Sequence, residues 1–187
     1  MSGVSNLLCD IPLIMPKGFP DNPYEVHERL YSQFCVNGVR EFLFSIEGDV
    51  APVVLVRSRN FPDALASAAE PVDLPDVGER RLFRLTASPT VSRNGKKTRL
   101  PPGDRPGRVA WLARRADEHG FELVGEPTVI WRSVKLVRQG RPIIRESARF
   151  EGMLQVTDAA RLEAALEYGI GRSHAFGFGM LRLFRAT

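Results

Sequence analysis

Of the three histidines in this 187-residue chain, His27 and His174 stand in company that can move a proton or meet an anion. His27 follows Tyr24 by three residues in the stretch NPYEVHERLY. On a helix that spacing sets both rings on the same face, one turn apart. An imidazole exchanges its proton near neutral pH, and a phenol can position a group or donate to it. No His, Cys or Asp spacing suggests a metal, so any nuclease chemistry here is expected to be metal-independent. RNA permits such a route because its own 2′-hydroxyl can attack the adjacent phosphate, whereas DNA has no internal nucleophile. A solitary helical histidine is otherwise a structural or merely exposed residue, and residue types alone leave both readings open.

His174 lies in GIGRSHAFGFGMLRL, with glycines at Gly169, Gly171, Gly177 and Gly179. Glycine supplies positive φ and lets backbone amides approach a ligand, so such a loop can cradle phosphate oxygens. It is neither a phosphate-binding Walker loop nor a dinucleotide fingerprint, since no Gly-Lys-Ser/Thr follows and it lies after a helix. The competing reading is a tight helix-to-strand connection. Arg172, Ser173 and His174 favour an anion site. The third histidine, His119, precedes Gly120 at a helix end and is expected only to favour that helix terminus. No serine nucleophile elbow is present. A further feature is RSVKLVRQGRPIIRESARFEG, where Arg132, Lys135, Arg138, Arg141, Arg145 and Arg149 spread along an expected hairpin. Basic strands can track a phosphate backbone; equally, charge can protect an edge hairpin.

These groups need elements to place them. A chain that is 43% hydrophobic and 26% charged folds as a globular protein, of one large or two small domains. No apolar run reaches the ~20 residues a membrane helix needs, and no signal peptide is evident. Cys9 and Cys35 are too few for a disulfide framework or zinc cluster, which suits a cytoplasmic protein with reduced thiols. Net charge is +4, with bases concentrated between Arg81 and Arg149, which points to a polyanion partner.

Asn22, Pro23 and Glu25 mark a helix start, with Asn22 as cap and Glu25 at the capping-box position. Val26, Leu30 and Phe34 form its core face. Strands are expected at Phe42–Glu47 and Val53–Ser58, a short helix or turn in FPDALASAAE, and a strand at Leu82–Ala87 that closes a β-α-β-β-α-β unit. A basic loop with an Asn94-Gly95 turn follows. The second half repeats this order. Its first helix carries Val109, Leu112, Ala113 and Ala116, with Gly120 as C-terminal cap. Strands then come at Phe121–Val124, Thr128–Val137 and Ile143–Val156. A helix capped by Thr157 or Asp158 bears Leu162, Ala165 and Leu166, and Met180–Phe184 is the last strand. The expected fold is α+β, two tandem ferredoxin-like domains over residues 1–88 and 89–187.

NPYEVHERLYSQF, REFLFSIE, FRLTASPTVSRNGKKTRL, VAWLARRADEHGFEL, RFEGMLQVTDAARLEAALEYGIG and the glycine loop, in that order, resemble the CasE-type CRISPR-associated endoribonucleases of the RAMP superfamily. The resemblance covers nearly the whole chain. It implies RRM-related ferredoxin-like domains and cleavage of CRISPR precursor RNA at the base of the repeat stem-loop. It implies no cofactor and no metal, with a 2′,3′-cyclic phosphate (or 3′-phosphate) and a 5′-hydroxyl as ends. The product would be retained in a Cascade-type complex with other subunits. By position, His27 matches the family's catalytic histidine, as base toward the 2′-OH or acid toward the leaving 5′-oxygen, and Tyr24 would orient ribose or phosphate. The bases from Lys135 to Arg149 would grip the stem, with Arg93 to Arg99 a weaker candidate. Family members often carry lysine where this chain has His174, which could act as a cation only when protonated, or could share the acid–base work. A non-cleaving RNA-binding subunit on the same fold is the alternative, although no aromatic RNP motif is evident.

Overall fold

The computed structural model describes residues 7–14, 22–36, 38–48, 53–93, 95–138 and 140–185. The first unit begins with strand β1, Cys9–Ile14, followed by helix α1, Pro23–Phe34. Asn22 is extended and its Oδ1 accepts from the Tyr24 amide at 3.3 Å, which caps α1, while Pro23 fits the first turn. Glu25 does not close the expected capping box on a backbone amide; it accepts from the Asn22 side-chain Nδ2 at 3.1 Å. Val26, Leu30 and Phe34 are buried, as their spacing requires. The short strands β2, Cys35–Val36, and β3, Val39–Arg40, pair as a hairpin. Strands β4, Phe42–Glu47, and β5, Val53–Ser58, helix α2, Asp63–Ala66, and strand β6, Glu70–Pro71, complete the unit.

Its sheet is antiparallel in the order β4-β5-β1-β6, the ferredoxin-like arrangement. The closing strand is therefore the two-residue β6. The strand expected at Leu82–Ala87 exists as β7, Arg80–Ala87, but pairs with strands of the second sheet. Its alternating pattern (Phe83, Leu85 and Ala87 buried) suits any half-buried strand, so sequence alone could not choose the sheet.

Strands β8, Thr90–Arg93, and β9, Lys96–Arg99, form a hairpin where a basic loop was expected. Asn94 lies outside the described residues. Helix α3, Arg105–Glu118, is capped by Asp104, whose carboxylate accepts from the Gly107 amide at 2.8 Å, and Gly120 follows it with φ 76°. Trp111, Leu112 and Ala116 are buried, whereas Ala113 faces outward, a correction to the expected core stripe. The two strands expected between Phe121 and Val137 are one, β10, Phe121–Arg138, with a register shift between Val124 and Thr128. Strand β11, Arg141–Val156, returns along it; helix α4, Ala159–Tyr168, is capped by Asp158; and β12, Leu181–Phe184, ends the unit. The second sheet runs β10-β11-β7-β12, again antiparallel and ferredoxin-like.

Charged and apolar contacts join the units. Arg57 of β5 is buried and makes a two-bond pair with Asp10, at 2.7 and 2.8 Å. Its remaining nitrogen donates to the Leu181 carbonyl at 2.7 Å, across the junction. Arg59 bridges to Glu163 and Glu167 of α4. Leu43 and Leu55 pack with Met180. No helix among the described residues is long and apolar enough to cross a membrane.

Candidate active site

α1 carries His27 into a wall of rings. The imidazole stacks on Phe44 at 6.3 Å and 13°, with Tyr24, Tyr31 and Phe42 at 6.1, 5.8 and 6.0 Å. Its Nδ1 is buried with no hydrogen-bond partner, so Nε2 is the nitrogen left for exchange with a substrate. Burial lowers the His27 pKa, the Arg40 charge lowers it further, and Glu28 opposes them. The ring is therefore a neutral base at neutral pH, ready to take a proton rather than give one. Tyr24 lies between His27 and Phe176 of the glycine loop, 6.1 Å from each ring.

The glycine loop is packed, not open. Gly169 (φ 83°) ends α4, and a Cβ there would stand 3.1 Å from both Leu43 and the His174 ring. At Gly179 (φ 93°) a Cβ would stand 2.6 Å from that ring. Gly171 faces Trp111, and Gly177 lies against Phe44 of the first unit. The amides of Gly169, Gly177 and Gly179 donate to Ala165, His174 and Thr86 carbonyls. Those three amides hold the fold, so they do not form the phosphate nest that the sequence suggested. Ser173 takes the left-handed conformation at φ 69° and starts the short 3-10 turn His174–Phe176. Arg172 lines a different cleft, of about 540 Å³, with Trp111, Arg114, Arg115 and His119. Burial lowers the His119 pKa, which disfavours the cation that would best complement a helix terminus.

His174 is not poised as a cation. The Arg40 guanidinium lies 3.1 Å from its Nδ1. Guanidinium has donors only, so Nδ1 must be the unprotonated acceptor. Burial, with the Arg40 charge, holds the ring down to about 4. Arg40 escaped the sequence reading because one arginine before a strand has no informative spacing. Its position following the α1 segment was the available signal, and only folding gave that position meaning.

The β10–β11 hairpin brings its bases to the same region. Asn22 donates to the Val137 carbonyl at 2.6 Å and accepts from its amide at 3.3 Å, tying the α1 cap to the hairpin. The register pairs Arg132 with Ser147, Val134 with Arg145, Arg138 with Arg141 and Ile130 with Arg149. These positions share one face by strand alternation, so Arg132, Arg138, Arg141, Arg145 and Arg149 form a single row. Lys135, opposite Ile144, is on the other face. Arg138 lies over Tyr24 at 5.4 Å and Arg145 over Phe176 at 5.4 Å. Arg132 and Arg149 line a cleft of about 430 Å³ with Glu47, Arg84, Phe176 and Phe178, and Arg149 also approaches Glu151 at 3.4 Å.

A family model described as "CRISPR associated protein" matches residues 16–185. The chain is 32% identical to the CRISPR-associated endoribonuclease Cse3 of Thermus thermophilus, over 86% of its own length and 89% of that protein. The chain belongs to the Cse3/CasE family. It is also 26% identical to the Cascade subunit CasE of Escherichia coli, over 91% of the chain and 96% of that subunit. Among solved structures, Thermus thermophilus Cse3 bound to an RNA representing a pre-cleavage complex superposes with a TM-score of 0.78 at 28% identity. That match covers 96% of this chain and 100% of the other. The likeness extends across both sheets, so the tandem ferredoxin-like architecture is that of the Cse3/CasE endoribonucleases.

Proposed function

We propose that this protein cleaves CRISPR precursor RNA at the base of the repeat stem-loop, without a metal, and keeps the product within a Cascade-type complex. The observation that carries the reading is His27 one turn from Tyr24, 6.1 Å from its ring, with Arg138 of the hairpin row lying over that tyrosine at 5.4 Å. His27 Nε2 takes the proton of the 2′-hydroxyl. The 2′-oxygen then bonds to phosphorus, the bond to the 5′-oxygen breaks, and that oxygen leaves as a 5′-hydroxyl with a proton from water or from the His27 imidazolium just formed. The other end is a 2′,3′-cyclic phosphate (or 3′-phosphate on opening). Tyr24 orients the ribose or phosphate. The N-terminal unit supplies the catalytic helix, and the C-terminal unit supplies the basic hairpin and glycine loop. Arg132, Arg138, Arg141, Arg145 and Arg149 hold the stem's phosphates, with Lys135 contributing from the far face.

The test is cleavage of labelled repeat RNA, from the protein's own array, in EDTA. A second RNA carries a 2′-deoxy nucleotide before the cut. Cleavage of the first with binding alone of the second is expected. His27→Ala should slow cleavage by about 10²–10⁴-fold, the range for loss of a general acid–base group, with binding retained. Binding of both RNAs without cleavage would instead identify a non-cleaving RNA-binding subunit.

A further inference from the structure

Arg40 is a half-buried guanidinium for which no carboxylate serves as an ion-pair partner among the described residues. Its neighbours account for this. Glu41 is engaged by Asn60 at 2.7 Å, and Glu167 by Arg59 at 2.7 Å. The Phe42 ring lies 5.9 Å from the guanidinium carbon and offers no compensating charge. Among the described residues, the hydrogen-bond acceptor of the Arg40 guanidinium is His174 Nδ1. A buried cation without an anion is costly, and a bound ligand's negative charge would offset that cost. Here the ligand would sit near His27, because the Arg40 guanidinium and the His27 ring both lie against the Phe42 ring, at 5.9 and 6.0 Å.

We propose that Arg40 is the cation that stabilises the scissile phosphate beside His27, and that His174 positions it as a neutral acceptor. This rests on the endoribonuclease reading above. The pentavalent phosphorane carries more charge on its nonbridging oxygens than the ground-state diester, so a fixed guanidinium favours the transition state. His174 is a positioning residue. Its ring is held between Gly169 and Gly179, where a Cβ at Gly179 would collide with it and one at Gly169 would crowd it, and its orientation aims Nδ1 at Arg40. The division of labour leaves the proton to His27 and the charge to Arg40. Depression of the His174 pKa to about 4 agrees with a ring that accepts rather than donates at Nδ1.

The experiment is single-turnover cleavage of repeat RNA by wild type, Arg40→Ala, Arg40→Lys, His174→Asn and His174→Leu, with RNA affinity and Tm measured for each. The RNA is also made with each phosphorothioate diastereomer at the scissile phosphate. Arg40→Ala should slow cleavage by about 10²–10³-fold, as removal of one preorganised transition-state donor does, with Tm retained. Affinity should fall far less. Wild type should discriminate between the two diastereomers, and Arg40→Ala should lose that discrimination. His174→Asn, which keeps an acceptor, should retain more of the rate than His174→Leu. Wild-type cleavage that is blind to the sulfur position overturns the proposal whatever the variants do, as does an Arg40→Ala rate equal to wild type. Either result alongside an inactive His27→Ala leaves the endoribonuclease reading standing; a wild type that never cleaves removes both.

Discussion

His27 owes its chemistry to its walls more than to its sequence neighbours. Four aromatic rings and the nearby Arg40 charge make the imidazolium costly, so the base form persists to lower pH than in a free histidine. If it removes the 2′-proton, the single-turnover rate is flat at neutral pH. It falls only as pH drops through a pKa below the ordinary 6.5. A profile that falls as pH rises through that region would make His27 an acid. His174 supplies a second pH effect, this time on stability. Its pKa is lower folded than unfolded, so its contribution is fully present above 6.5 and is lost as pH falls toward about 4. Denaturation midpoints of His174→Asn, measured across that interval, should decline less steeply with acid than those of wild type.

The cap of α1 is also a fastener. Asn22 Oδ1 accepts from Tyr24 and Val137, and its Nδ2 donates to Glu25 and Val137, so one side chain sets the helix start and its distance from the hairpin. Asn22→Ala removes the cap, worth about 1 kcal/mol. It should slow cleavage as well as lower Tm, because the Tyr24–His27 turn would no longer be fixed against Arg138. An unchanged rate with a lower Tm would confine Asn22 to stability. The glycine loop makes the complementary case. Gly179→Ala would press a methyl group on the His174 ring in a conformation that L-residues avoid. Overpacking of this kind costs about 1–3 kcal/mol, and the displaced imidazole should take Arg40 with it. Its measured signature is a loss of cleavage rate larger than the loss of RNA affinity.

At the scale of the molecule, the two ferredoxin-like units make one site because buried charge locks them together. Arg57 satisfies Asp10 in its own sheet and the Leu181 carbonyl in the other. Arg57→Met would leave that carboxylate and carbonyl without their donor, a loss of about 3–5 kcal/mol, the range for breaking a buried pair from one side. The urea midpoint measures it. Replacing Asp10 as well (Asp10→Leu with Arg57→Met) should recover part of the loss. At this scale the proposed RNA contact is the hairpin row. Replacing Arg138, Arg141 and Arg145 together by Gln should weaken binding. It should also flatten the salt dependence by up to about one counterion per lost phosphate contact. Equal slopes would show that the row does not touch phosphate.

Local chemistry legible in the sequence determined the helix of Tyr24 and His27, the basic hairpin, the α+β class and most element positions. Caps, apolar periodicity and turn residues act over a few positions and survive in any context. The resemblance in motif order added the family. Tertiary structure decided what depends on approach between distant segments. It placed Leu82–Ala87 in the second sheet, since strand pairing is a choice among partners that a half-buried pattern does not name. It gave the glycines a packing role, as clearances for the rings of Phe44, Trp111 and His174. It also set Arg40 against His174, 134 positions away in the chain, where the ring is an acceptor. Charge and protonation follow burial and neighbours, and those exist only after the chain has closed on itself.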